Sequence, residues 1–313
     1  MTYTLTSKSR RLARVVCTTA VAFALVAASS TTALAAPGHG EEVARLIETV
    51  APDQGAVVHG KSSRGVTRVT TGASTIAVAE DPDVPISITG PGGSELQITL
   101  PDVLDLQSAQ AASDGTIVYS SNDGGVDAAV QIMADGAVRI QTVIQNRKSA
   151  HEFAYGIVEG FQPVEAADGS FWAVGFNAAG DFQAVGVGEA WARDADGNAV
   201  PTHYEISEND LVQIVTPAPN TKYPIVADPI WQWYNFAYGA GFSKAETRSF
   251  ASTGSITGLC GLLGKWPALG VACAIAGVQW FLQASYAANA NGCVFLAAVP
   301  APLAVRWVSP QCR

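Results

Sequence analysis

The sequence predicts two parts: a mainly β N-terminal domain, built as an antiparallel sandwich or barrel-like sheet, and a small α-helical-hairpin C-terminal domain with disulfides. Five Asp-Gly pairs separate short β-type segments, and four cysteines lie in the last fifth of the chain. The charge also divides: residues 37–229 carry 26 Asp and Glu against 9 Lys and Arg, and residues 230–313 carry 1 against 5. This asymmetry bears on partners and association rather than on fold.

The N-terminus has the three parts of an export signal. Four basic residues at positions 8–14 precede an apolar run over 15–28, and Ala-Leu-Ala at 33–35 supplies the small residues of a cleavage site. Residues 1–35 are therefore predicted to be a signal peptide, and the protein to be secreted and extracellular. The four cysteines that lie outside this segment are an even number, which favours disulfide bonds in an exported protein.

Residues 36–54 are predicted to be a helix and a linker, because Val43, Leu46, Ile47 and Val50 fall at helical spacing. Residues 55–229 are predicted to be an acidic antiparallel β domain. Its segments are short, partly alternating and rich in β-branched residues, and Asp-Gly readily supplies the positive φ angles of tight hairpin turns. These observations do not choose between a sandwich and a barrel.

The end of this region carries a family resemblance. The segment Ala190–Pro229, with Trp-Ala-Arg-Asp-Ala-Asp-Gly, Pro-Thr-His-Tyr-Glu and Tyr-Pro-Ile-Val-Ala-Asp-Pro, resembles a block in uncharacterised secreted actinobacterial proteins. In that group the block closes a β-rich domain, and a variable C-terminal module follows. The resemblance implies export and modularity, and it brings no catalytic residue. Asp228-Pro229 is either a processing point or, as we favour, the end of the last strand, which Pro terminates.

Residues 230–313 are predicted to form a cationic, apolar, disulfide-stapled helical domain. A Ser-x-x-Glu capping box at Ser243–Glu246 predicts a helix that continues to about Leu263. Pro267 predicts the start of a second helix that ends near Asn289. The apolar segments around Pro-Ala-Pro then predict a hairpin of two extended strands.

Each cysteine pair is nearly symmetric about a predicted bend. Folding the chain back near Trp266 brings Cys260 to Cys273, and folding it back at the Pro-Ala-Pro segment brings Cys293 to Cys312. We therefore predict these two bridges, with crossed pairings as the alternative.

The apolarity of this domain has two interpretations. The first is a buried core, since 17 uncharged residues from Trp266 to Leu282 extend only about 25 Å as a helix, somewhat short of a bilayer core. The second is membrane contact, with cations beside the apolar run. The aromatic and basic residues expected to contact a membrane or partner are Trp231, Trp233, Tyr234, Phe236, Lys265, Trp266, Trp280, Phe281, Arg306 and Trp307.

The leading functional hypothesis is a membrane-active module, bacteriocin-like or pore-forming, held soluble by the acidic domain through intramolecular contact between unlike charges. An anionic membrane or the cell envelope is the expected partner. The alternative is a non-catalytic envelope or extracellular binding protein. No catalytic motif, cofactor motif or metal-ligand spacing occurs, and the acidic domain argues against nucleic acid. An enzyme ranks third, and it requires His203 or His151 beside a carboxylate and a Ser.

Overall fold

The computed structural model describes residues 38–53, 55–90, 93–158, 160–177, 179–234, 238–307 and 312. The predicted signal peptide 1–35 and the predicted contact residue Phe236 lie outside these residues, as does the side chain of Trp307. Residues 37–313 cluster into one compact unit.

The described chain begins with a helix and a five-stranded antiparallel meander. Helix α1 turns its apolar stripe inwards, as its spacing predicts, and buries Val43, Ile47 and Val50. The strands pair in chain order, so each closes a local hairpin with the next. The bounds are α1 His39–Val50, β1 Lys61–Ser63, β2 Val66–Thr71, β3 Ser74–Ala79, β4 Ile86–Thr89 and β5 Glu95–Ile98.

Thirteen further strands build a ten-stranded sheet and a three-stranded sheet. Their bounds are β6 Gln110–Ala111, β7 Ile117–Tyr119, β8 Val126–Ile132, β9 Val138–Ile144, β10 Glu152–Gly156, β11 Phe161–Glu165, β12 Phe171–Phe176, β13 Phe182–Val187, β14 Ala192–Arg193, β15 Thr202–Ser207, β16 Asp210–Val215, β17 Ile225–Ala227 and β18 Ile230–Tyr234. The small sheet has the order β10-β16-β15. The large one runs β11-β12-β13-β18-β9-β8-β7-β6, with β17 also paired to β9 and β14 paired to β17.

The principal core lies between these sheets. Ile76 and Ile88 of the meander share one buried cluster with Val130 and Ile140 of the large sheet, an arrangement typical of a sandwich. On the other side of β8 and β9, α1 covers a second cluster that contains Ala129. The mainly β, antiparallel class predicted from the sequence is confirmed.

Four of the five Asp-Gly pairs lie in hydrogen-bonded turns, as predicted, and the fifth, Asp123-Gly124, lies in a bend between β7 and β8. The glycines at positions 115, 124, 136, 169 and 197 all have φ between +72° and +95°. Asp135-Gly136 joins β8 to β9, and the Asp135 carboxylate accepts the backbone N–H of Ala137. In the Asp194–Asn198 turn the Asp194 carboxylate accepts the N–H groups of Asp196 and Asn198. Asp114, Asp123 and Asp168 make the same contact as Asp135, each accepting the N–H two residues on, which explains why Asp precedes the glycine at these four positions.

The C-terminal part is a three-stranded sheet covered by helices. Its bounds are β19 Tyr238–Phe242, α2 Lys244–Ser252, α3 Ile256–Leu263, α4 Pro267–Asn289, β20 Cys293–Val299 and β21 Leu303–Trp307, with the strand order β19-β20-β21. The second predicted helix and the apolar hairpin are confirmed. The first predicted helix is two helices, because Gly254 adopts a φ of +63° and Ser255 caps a new helix that starts at Ile256, its side chain accepting the Gly258 N–H.

The domain boundary predicted between Pro229 and Ile230 needs correction. Residues Ile230–Tyr234 form β18, which pairs with β13 and β9 inside the large sheet. The C-terminal part therefore begins after Tyr234. Asp228 and Pro229 are buried between β17 and β18, which supports the strand-end interpretation of this dipeptide.

The contact between the two parts is apolar. Phe295 and Leu303 of the C-terminal hairpin share a buried cluster with Trp172 and Val174 of the large sheet. The Gln279 side chain adds a hydrogen bond to the Glu165 carbonyl at 2.5 Å. Across the part of the chain that the structure describes, no ion pair joins the acidic and basic parts. Burial of apolar surface therefore holds them together.

Candidate membrane-contact surface

Helix α4 is the central element of the C-terminal part. Pro267 occupies its first turn, where a missing N–H costs nothing, and no charged residue follows until Arg306. One face points inwards, burying Leu269, Cys273 and Trp280 against α2, α3 and the hairpin. This packing accounts for only part of the apolar surface of the helix.

The opposite face of α4 is apolar and exposed. Its five large side chains lie at intervals of three or four residues, which places them within an arc of about 80° over about 22 Å of helix. Exposure of this row to water is unfavourable, because burying its apolar surface would lower the free energy. We call these residues the α4 stripe; they are Val271, Ile275, Val278, Leu282 and Tyr286, with exposed fractions of 71%, 67%, 60%, 47% and 56%.

The composition of α4 also meets the criteria for a membrane helix. Among the described helices, α4 alone is long and apolar enough to cross a bilayer, with a mean hydropathy of 1.4 over its most apolar window. Core helices of water-soluble proteins and signal sequences meet the same criteria, and 39% of that window is buried. The exposure of the α4 stripe, rather than the composition, is the informative feature.

Covalent and steric features fix α4 in this orientation. The bridge Cys260–Cys273 joins it to α3, and Cys293–Cys312 closes the hairpin, so both predicted disulfides are confirmed. Gly277 faces α3 closely: a Cβ at this position would lie 2.4 Å from the Cγ2 of Ile256. The close approach holds the inner face against α3 and leaves the stripe on the outside.

Cations lie at both ends of α4. Lys265 is exposed just before the helix, with its ammonium 4.1 Å from the centroid of the Trp266 ring. Arg248 is exposed on α2 and donates a hydrogen bond to Asn291, two residues beyond the helix, at 2.8 Å. An apolar face between cationic ends suits an anionic membrane surface.

The one acidic side chain in the C-terminal part, Glu246, has a local structural role. Glu246 accepts the backbone N–H of Ser243 at 2.9 Å, while the Ser243 hydroxyl accepts the N–H of Glu246, which completes the predicted capping box. These hydrogen bonds to Ser243 lower the pKa of Glu246. The Glu246 carboxylate therefore stabilises the N-terminus of α2.

Several predicted contact residues belong to the core, which corrects the sequence interpretation. Trp231 and Trp280 are fully buried and Trp233 is 7% exposed, so none of the three reaches a partner. The alternation in Trp-Gln-Trp was the signal that two of these rings share the inner face of a strand. Tyr234 is 45% exposed and packs edge-on against Trp172.

The remaining predicted contact residues lie at or near the surface. Lys265 and Arg306 are exposed, and Trp266 and Phe281 are half-buried. The prediction missed the α4 stripe itself. Its helical spacing was visible in the sequence, but α4 is apolar on every side, so spacing alone does not say which face is covered.

A surface cleft of about 580 Å³ gathers groups that an enzyme would need, without the required contacts. Ser170, His203 and Glu205 all line it. His203 Nε2 lies 3.2 Å from Glu205 Oε1. The Ser170 hydroxyl, however, donates to Asp168 at 2.6 Å and accepts from the Trp172 indole at 2.8 Å. The Ser170 hydroxyl is therefore hydrogen-bonded to Asp168 and Trp172 rather than to His203 in this structure.

The buried carboxyl of Asp228 stabilises the junction between β17 and β18. Its Oδ1 accepts the Trp191 backbone N–H at 3.0 Å and the Tyr204 hydroxyl at 3.1 Å. Burial raises the pKa of Asp228 to about 7, against the opposing effect of these hydrogen bonds. This carboxyl links the large sheet, at the junction of β17 and β18, to β15 of the three-stranded sheet.

Comparison with known proteins adds no assignment. No family model, no curated protein and no solved structure matches the chain.

Proposed function

We propose that this is a secreted protein whose C-terminal part is membrane-active, in the manner of a bacteriocin-like or pore-forming module, and that the α4 stripe makes the first contact with lipid. The observation that carries the proposal is the stripe: five exposed apolar side chains on one helix face, between cationic ends. The two disulfides are consistent with an extracellular site of action.

The expected mode of binding is a helix lying in the plane of the membrane. The inner face of α4 is held against α3 and the hairpin, so only the outer face is free to enter the boundary between head groups and acyl chains. Lys265 and Arg248 would then lie at head-group level, where each cation near an anionic surface contributes about 1 kcal/mol. Deeper insertion requires the inner face to leave its core.

The test is binding and dye release with vesicles of defined composition, using the full mature protein. We expect it to sediment with phosphatidylglycerol-containing vesicles and to release their dye. Binding to pure phosphatidylcholine should be weaker, and salt should reduce the preference because it screens the cations. Binding without dye release would reduce the function to membrane attachment. Retention on isolated cell wall with no lipid binding would favour the alternative, a non-catalytic envelope protein.

A further inference from the structure

A separate cleft lies beside the C-terminal end of α1. It has a volume of about 370 Å³, within the range of small-molecule sites. Its walls come from the end of α1, from residues 51–53 and 55–57, and from the face of the large sheet that α1 partly covers. Gln131 of β8 and Arg139 of β9 both line it, and these two residues are directly paired across the strands.

Arg139 is a buried charge without a close counter-ion. It is 5% exposed, and no carboxylate of the described chain lies within ion-pair distance of it. Its guanidinium donates to Gln131 Oε1 at 3.0 Å and to the Pro52 carbonyl at 3.3 Å, while Nε has no partner. Among the described residues, two of its five N–H donors therefore have a partner.

The polar character continues along the same strand face. Gln141 is two residues beyond Arg139 and fully buried, and neither its side-chain nitrogen nor its side-chain oxygen has a partner. Burial lowers the pKa of Arg139, and the more distant carboxylates of Asp228 and Asp53 oppose that effect. Buried polar groups are normally hydrogen-bonded, so the unsatisfied Arg139 guanidinium that lines the cleft indicates a ligand, while Gln141 lies outside the lining.

The rest of the lining restricts what that ligand is. Glu48, Asp53 and Asp114 line the same cleft. The Asp114 carboxylate accepts from the backbone and side chain of Thr116, and the Asp53 carboxylate accepts from the Gly55 N–H. Three carboxylates repel a multiply charged anion such as phosphate and attract an ammonium. A molecule that carries one carboxylate and one ammonium satisfies both kinds of lining group.

We propose that this cleft binds a small zwitterion of the amino-acid or short-peptide class. Its carboxylate pairs with the Arg139 guanidinium, whose planar donors suit a carboxylate. Its ammonium faces Glu48 and Asp53. The site belongs to the N-terminal part and is independent of the α4 stripe.

The test is isothermal titration of the full mature protein with four probes: alanyl-alanine, its N-acetyl derivative, its C-terminal amide, and inorganic phosphate. We expect saturable binding of alanyl-alanine, and at least about tenfold weaker binding of each blocked form, because each lacks one charge. No binding of alanyl-alanine at millimolar concentration would overturn the proposal. Phosphate binding as tight as that of the dipeptide would overturn the zwitterion assignment.

Paired variants locate the site. Arg139→Gln should abolish binding, whereas Arg45→Gln, an exposed position on α1, should leave it unchanged. If Arg139→Gln fails to fold, Glu48→Gln at an exposed position tests the site instead. Glu48→Gln should weaken the binding of alanyl-alanine several-fold without weakening the binding of the N-acetyl form. Glu42→Gln on the same helix is the control. Equal effects of Glu48→Gln and Glu42→Gln would contradict the proposal.

Discussion

Replacing three residues of the α4 stripe with glutamine should weaken membrane binding without destabilising the fold. Full burial of a Val or Ile side chain is worth about 1.5–3 kcal/mol. Val271, Ile275 and Val278 are 71%, 67% and 60% exposed, so roughly two-thirds of that gain is still available to a membrane. Each residue then contributes about 1–2 kcal/mol, and the three together about 3–6 kcal/mol.

The triple variant should therefore partition onto phosphatidylglycerol vesicles at least about 100-fold more weakly, since 1.4 kcal/mol corresponds to tenfold. Exposed substitutions usually change stability by less than about 0.5 kcal/mol each, so the thermal midpoint should stay close to that of the parent. Vesicle sedimentation gives the partition coefficient, and circular dichroism gives the midpoint.

The matched control is Val84→Gln with Val103→Gln, two exposed apolar positions in the N-terminal part, at 45% and 58% exposure. This variant should bind vesicles as the parent does. Equal losses in both variants, or unchanged binding in the triple variant, would refute the assignment of the stripe.

Three further predictions concern stability. Replacing both Cys260 and Cys273 with Ser should lower the free energy of unfolding by about 2–4 kcal/mol, measured by denaturant titration; no change would show that the bridge contributes nothing. Ser243→Ala removes the cap of α2 and should cost about 1 kcal/mol, whereas Ser252→Ala at the exposed helix end should be nearly neutral. The carboxyl pKa of Asp228 is about 7 in the folded protein against 3.8 as its ordinary value, so the folded state binds more protons between these pH values, and stability falls as pH rises through this window. Between pH 5 and pH 8 this loss amounts to about 3 kcal/mol, and Asp228→Asn should remove it in urea titrations at these two pH values; an unchanged pH slope would contradict the shifted pKa.

Local features of this fold could be predicted from the sequence because short-range chemistry decides them. The Asp-Gly turns, the capping box at Ser243 and the Pro267 start of α4 each depend on a few neighbouring residues. The disulfide pairing also followed from local bends. The break at Gly254 is local too, but a single glycine inside an apolar helical pattern does not say whether the helix continues.

The arrangement of the two parts could not be predicted in this way. Strand β18 pairs with β13 and β9, which lie far from it in the chain, and no local signal specifies such partners. The change in charge at Pro229 therefore marked a compositional boundary that does not coincide with the structural one. Arg139 was also missed as a site residue, because a single arginine within a strand pattern shows neither its burial nor its missing counter-ion.

Site-specific photo-crosslinking to lipid tests the central claim most directly. p-Benzoylphenylalanine at Ile275, in protein bound to phosphatidylglycerol vesicles, should form a lipid adduct on irradiation, and the same residue at Val84 should not. Equal labelling at both positions, or crosslinking at Ile275 to a second protein chain in place of lipid, would contradict the assignment of the α4 stripe to membrane contact.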